Sequence, residues 1–229
     1  MSGRMDGKKV IVTQSEAYMG AAMAEGFARE GAEVIADNSD LREPGACEVL
    51  VERAGHVDVL IANTAPLNGT IFPAHEIDND MFEYMFEMMV FPLHRLCRLV
   101  LPQMYERKQG KIVVIGSITG LRAEKTHGVM ASAYTAARSA QTGYVRAAGA
   151  EAARNNVQIN LIAQHFTYSP TFFPKLMQQT EEFKAWLKDC PAGRLATGEE
   201  DAELALFLAS DKSDFISGTS IPFTGGWHL

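Results

Sequence analysis

Short apolar runs bounded by turn residues recur along this chain: Lys9-Val-Ile-Val-Thr13, Glu33-Val-Ile-Ala-Asp37, Val57-Asp-Val-Leu-Ile-Ala-Asn63, Lys111-Ile-Val-Val-Ile-Gly-Ser117, Val157-Gln-Ile-Asn-Leu-Ile162 and Ser220-Ile-Pro-Phe223. Runs of this length and continuity read as strands buried on both faces. Between them lie stretches of helical period: Gly20 to Glu30, closed by Gly31; Cys47 to Ala54; Asp78 to Met89; Pro92 to Glu106; the Tyr134 segment to about Asn155; and Glu199 to Ala209. Phe166 to Cys190 breaks the rhythm, being aromatic and proline-containing, with a helical stretch only near Glu181 to Lys188. It is expected to cross over the sheet and cap a pocket. Strands alternating with helices predict one α/β domain over residues 1–229, built on a doubly wound parallel sheet covered on both faces.

The interval between Asp37 and Val57 is short and holds one helix. It makes one strand-helix-strand unit and leaves no room for a further strand. Composition adds exclusions. The 229 residues are 47% apolar, enough for a sizeable core. A formal charge of −7 without any basic run argues against nucleic acid or an anionic membrane as partner. No long apolar segment stands near Met1 or elsewhere, so a cytoplasmic location is expected. Cys47, Cys97 and Cys190 are odd in number and widely spaced, which points to buried thiols; the histidines lack metal-ligand spacing, so no metal is expected.

Candidate chemistry centres on Ser117, Tyr134 and Arg138. Ser117 ends a buried strand, where open α/β sheets place their sites. Tyr134 and Arg138 stand four apart in the Ala-rich run Ser132-Ala-Tyr-Thr-Ala-Ala-Arg, so one helix face carries both. A phenol is a poor base at neutral pH, and holding it ionised there costs about 4 kcal/mol. A guanidinium about 4 Å away is worth roughly as much at an effective dielectric of 20. A Tyr and Arg at this spacing are also common as a stacked surface pair. Ser132 competes with Ser117, but it lies two residues before Tyr134 and leaves the helix on another face.

The pattern Tyr134-x-x-x-Arg138 resembles the Tyr-x-x-x-Lys of short-chain dehydrogenases/reductases, and Thr13-Gln-Ser-Glu-Ala-Tyr18-Met-Gly20 resembles their glycine motif with glycines replaced. Over essentially its whole length the chain is similar to that superfamily, and most similar to the halohydrin dehalogenases derived from it. The resemblance implies a Rossmann-like fold. Glycines of that motif let a backbone approach a pyrophosphate, so side chains at Gln14 and Tyr18 oppose a bound dinucleotide. Two matching losses accompany them: the short interval after Asp37, itself read as a remnant of a ribose ligand, and Ala163-Gln164-His165-Phe166 where the reductases have a Pro-Gly turn beneath nicotinamide. Asn-Asn-Ala-Gly becomes Ala62-Asn63-Thr64-Ala65, and Met89 takes the place of the helical asparagine. Ser117 and Tyr134 are seventeen positions apart, more than the family pattern implies, and the excess falls in Arg122 to Met130.

The resemblance implies cofactor-independent conversion of vicinal haloalcohols to epoxides, with release of halide and a proton, and ring opening by small anions (halide, azide, cyanide or nitrite) in reverse. Ser117 and Tyr134 then bind the substrate hydroxyl, Tyr134 is general base, and Arg138 supports the phenolate. The substrate and halide contacts fall on Thr13, Tyr18, Gln164, Phe166 and Thr167. No cofactor or metal is expected, the partners are a small haloalcohol or epoxide and halide, and the expected assembly is a homotetramer with Trp227 near another subunit. His165, Phe72, Phe172, Phe173 and Trp186 are candidate lining groups, with core packing as the default use. Two other functions remain open: an NAD(P)-dependent reductase, favoured by Asp37 and the Ser-Tyr pair, and an inactive binding protein on the same fold.

Overall fold

The computed structural model describes residues 3–67, 72–122, 131–170 and 173–227. Strands β1 (Lys9–Thr13), β2 (Glu33–Asp37), β3 (Val59–Asn63), β4 (Gly110–Ser117), β5 (Val157–Gln164) and β6 (Ser220–Phe223) form a six-stranded parallel sheet in the order β2-β1-β3-β4-β5-β6. β3, β4 and β5 are buried almost throughout, which is why they read as continuous apolar runs. β6, half-buried, carries Pro222 at an edge, where its missing N–H breaks no ladder. β2 pairs directly with β1 and has no outer neighbour, as the single short crossover requires.

Helices α1 (Gly20–Arg29), α2 (Ala46–Ala54), α3 (Asn79–Arg107), α4 (Ser132–Ala152), α5 (Glu181–Leu187) and α6 (Gly198–Ala209) cover the sheet. Met23 and Phe27 of α1 join Ala202, Ala205 and Leu206 of α6 in the core on one face. Leu50, Leu93, Leu96, Val100 and Val145 from α2, α3 and α4 fill the other. Met85, Met88 and Met89 of α3 pack on Ala133 and Ala137 of α4, with Tyr134 against them, and this contact sets α4 relative to the sheet.

Two sequence boundaries change. The expected pair of helices, Asp78 to Met89 and Pro92 to Glu106, is one 29-residue helix running through Pro92 and Pro102. Each proline removes one backbone donor, but the apolar face from Met85 to Met104 is buried along its length, and that packing holds the helix together. β3 begins at Val59, and the Val57 amide before it donates to the Gln103 side chain at 2.8 Å. The three cysteines are buried and unpaired with one another. Among the described residues no helix is long and apolar enough to cross a membrane.

α4 approaches the loop before β6 at Gly149, where a Cβ would lie 2.4 Å from the Gly218 backbone nitrogen. Gly149→Ala should therefore cost about 1–3 kcal/mol of unfolding free energy through forced backbone shift, read as a lower urea midpoint with unchanged slope.

Candidate active site

The chain runs from β1 out to β2 and returns to β3 on β1's other side, so the crevice of this sheet opens at the C-terminal ends of β1 and β3. That crevice is closed by side chains. Gln14 donates from Nε2 to the Ala65 carbonyl and accepts the Ala65 N–H on Oε1, both at 2.9 Å. Tyr18 donates its hydroxyl to the Pro66 carbonyl, and Asn63 donates to the carbonyls of Gln14 and Ala17 at 3.0 Å. The loop amides are turned inward as well: Ser15 N–H donates to Asp37, Ala17 to Gln14 and Gly20 to Ala17. Gln14 and Tyr18 keep the left-handed backbone, φ 43° and 53°, that favours glycine. The backbone shape of a phosphate-binding loop persists while its interior is filled.

Asp37 is equally engaged. Its carboxylate accepts from Arg53 at 2.8 Å on one oxygen and from the Ser39 hydroxyl at 2.6 Å on the other. A small cleft of about 280 Å³ remains beside it, with Glu16 and Asp40 in its wall and Arg42 bound to Asp40. These residues do not fit a dinucleotide: a pyrophosphate would meet the Gln14 clasp, and a ribose would compete with Arg53 and Ser39 for the Asp37 carboxylate.

On the other side of the clasp lies a cavity of about 600 Å³ over the ends of β4 and β5, lined also by described residues from His165 to Ser169 and from Phe173 to Trp186. Ser117, Tyr134 and Arg138 all line it. Ser117 Oγ accepts from the Thr119 N–H at 3.3 Å and from the Thr119 hydroxyl at 3.1 Å, which leaves its own proton to donate to a ligand. Ser132 is not among the lining residues.

Arg138 is buried, with 4% of its surface exposed. One guanidinium nitrogen donates to the carbonyls of Thr64 and Ile115, both at 3.1 Å, and to Gln141 Oε1 at 2.9 Å. Nε has no hydrogen-bond partner among the described residues, and no described carboxylate pairs with the cation. Its central carbon lies 5.0 Å from the centre of the Tyr134 ring, so the charge rests on the ring face. Tyr134 and Arg138 are in contact as neighbours on α4, through the ring face.

Of the residues expected to contact substrate or halide, Tyr18, Gln164, Phe166 and Thr167 line the cavity; Thr13 does not. Thr13 is fully buried in β1 and donates to the Asn63 carbonyl at 2.9 Å, a strand-to-strand tie behind the cavity wall. Burial, then the neighbouring Tyr134, pushes the Tyr18 phenol up to about 12, so it stays a donor to Pro66. Phe166, Phe173 and Phe183 surround Trp186, with ring centres 4.3, 5.1 and 5.3 Å from it. His165 also lines the cavity, and burial pulls it down to about 4, so it is neutral near pH 7. Trp227 stacks within its own chain, 4.5 Å from His165. Phe72 is not a lining residue; Phe172 and the excess loop residues 123–130 lie outside the described residues.

A family model described as enoyl-(acyl carrier protein) reductase matches residues 38–228. The chain belongs to the short-chain dehydrogenase/reductase family. Dehydrogenase/reductase SDR family member 6 of Danio rerio is 27% identical to it over 252 residues, covering 99% of this chain and 100% of the relative. A solved structure described as a dehalogenation enzyme superposes with a TM-score of 0.85 at 27% identity, over 97% of this chain and 99% of the other. A 3-oxoacyl (acyl-carrier-protein) reductase from Agrobacterium tumefaciens C58 with NADP bound gives 0.86 at 28% identity, over 97% and 95%. Within this dehydrogenase/reductase family the chain combines the fold of nucleotide-binding members with a filled crevice.

Sequence reasoning missed two residues. Gln141 bonds Arg138 and also donates to Thr64 Oγ1 at 3.0 Å and the Met89 carbonyl at 2.9 Å, so it fixes the guanidinium. Its position, three after Arg138 on the same helix face, was the available signal. Asp201 of α6 is wholly buried and accepts from Gln164 Nε2, while its Oδ1 has no partner among the described residues. Burial lifts its carboxyl to about 8, opposed only by the Gln164 bond. The folded state therefore holds a proton that the unfolded chain loses near its ordinary carboxyl value, about 4. Stability from this group is complete below that value and is lost as pH rises toward 8. Asp201→Asn should thus raise the melting temperature, by a margin that grows from about pH 4 to about pH 8 and then levels, measured by calorimetry across that range.

Proposed function

We propose that this protein is a cofactor-independent halohydrin dehalogenase, converting vicinal haloalcohols to epoxides and opening epoxides with small anions in reverse. The observation that carries the reading is the Gln14 and Ala65 clasp with Tyr18 tied to Pro66, because it occupies the space a dinucleotide needs and leaves the Ser117, Tyr134 and Arg138 cavity intact. The likeness to a structure described as a dehalogenation enzyme supports it.

In this reaction Ser117 donates to the substrate oxygen, and Tyr134 takes its proton as general base. The alkoxide electron pair attacks the neighbouring carbon, the C–O bond forms, and the carbon-halogen bond breaks with its electrons leaving on halide. The proton later passes from Tyr134 to water. Arg138, buried with no carboxylate partner among the described residues, supplies positive charge that favours the alkoxide. The wall of Tyr18, Phe166 and Trp186 suits a large polarisable anion better than a strongly hydrated one.

A second reading, an NAD(P)-dependent reductase, is favoured by relatives with dehydrogenase and reductase names, one of them solved with NADP. Halide release from a haloalcohol panel, assayed without added nucleotide, separates the two. We expect release, lowered by at least about a hundredfold in Tyr134→Phe. Saturable NAD(H) or NADP(H) binding, or substrate-dependent nicotinamide oxidation, supports the reductase; silence in both assays leaves a binding protein. Gln141→Leu should weaken turnover with little change in fold, because Arg138 loses an acceptor and its position over Tyr134; circular dichroism alongside kcat checks this. For the assembly we propose a homotetramer, supported by the exposed Phe82 and Phe91 on α3, both in ring contact with Phe86; a monomer in light scattering rejects it.

A further inference from the structure

Gln164 ends β5 in register with Ser117 at the end of β4, so its amide stands on the cavity wall beside the reacting oxygen's serine. Behind it lies Asp201, wholly buried, with one oxygen on the Gln164 amide and the other without a partner among the described residues. Neither residue is needed for the fold's hydrophobic core, and a buried carboxyl with an orphaned oxygen calls for a reason. We propose that Asp201 is a positioning residue for the anion end of the cavity: through Gln164 it sets whether an amide N–H or an amide C=O faces the departing halide.

The argument follows from donor and acceptor counting. A carboxylate only accepts, so beside ionised Asp201 the Gln164 NH₂ must turn inward, as it does here, and Oε1 is left for the cavity. A carbonyl dipole there repels an anion. A neutral carboxylic acid gains a proton that it can donate to Oε1, and with the amide turned over to accept it, Nε2–H faces the halide. The two amide orientations have the same shape, so the exchange needs no backbone movement. The surrounding charges leave Asp201 to itself. On α6, Glu200 is bound by Arg194 and Glu203 by Arg4, which also holds Glu30 after α1. Lys111 of β4 is paired with Asp214, and His165 after β5 is neutral near pH 7. Burial raises the Asp201 carboxyl to about 8, which places the exchange near neutral pH, while Tyr18 at about 12 titrates above that window.

This rests on the dehalogenase reading for the identity of the anion. The test is bromide binding to the intact protein, followed by quenching of tryptophan fluorescence from pH 6 to pH 9.5. Affinity should be constant on the acid side and fall about tenfold as Asp201 ionises, the value of one hydrogen bond to a charged group. Asp201→Asn, whose amide can donate to Oε1 at every pH, should bind bromide with a flat profile. Gln164→Leu should bind weakly and lose most of the pH dependence, which separates amide orientation from simple repulsion by the Asp201 charge. If Asp201→Asn or Gln164→Leu keeps the parental profile, the proposal fails while the dehalogenase reading stands. If the parent binds no bromide at any pH, the dehalogenase reading fails and takes the proposal with it.

Discussion

The buried guanidinium of Arg138 is the constraint around which this site is arranged. It reaches from α4 to the carbonyl after β3 and to a carbonyl of β4, and Gln141 holds it from its own helix. Carbonyl dipoles compensate the charge only in part, because the desolvation of a buried cation is large and no carboxylate is present to cancel it among the described residues. The cation rests on the Tyr134 ring, and both side chains line the cavity that Ser117 also lines.

The same sheet normally offers a second anion site, the loop between β1 and α1, and in this chain that loop is self-satisfied. Gln14 replaces the ligand with its own amide, and the loop N–H groups donate to neighbouring carbonyls. The open cavity thus lies along the sheet from the β1 and β3 crevice, over the β4 and β5 ends. Gln14, Tyr18 and Phe166 all hold positive φ, the first two in the filled loop after β1 and the third after β5 in the cavity lining. Non-glycine residues in that region cost energy that the surrounding hydrogen bonds and rings must supply.

Strand and helix positions were legible in the sequence because parallel strands buried on both faces leave uninterrupted apolar runs, and the amphipathic helices keep their own period. The lost second crossover was legible too, from length alone. Helix α3 was misread as two because proline is a local signal, whereas the continuity of a helix is settled by the core against which Met85 to Met104 pack. Thr13 was assigned to the ligand on its place in a motif; in the fold its side chain points along the sheet to Asn63.

What the sequence by itself determined was the alternation of elements, the placing of Ser117 at a strand end, and the spacing that puts Tyr134, Arg138 and Gln141 on one helix face, since each depends on separations of a few residues. What only tertiary structure decided was which groups are buried together. Gln14 meets Ala65, Arg138 meets Thr64, and Gln164 meets Asp201 across separations of 51, 74 and 37 residues. Asp201 in particular reads as one more acid in the acidic first turn of α6, beside Glu199 and Glu200. Its shifted carboxyl exists only because α6 packs that one position against the sheet and excludes water, and no local pattern records solvent exclusion.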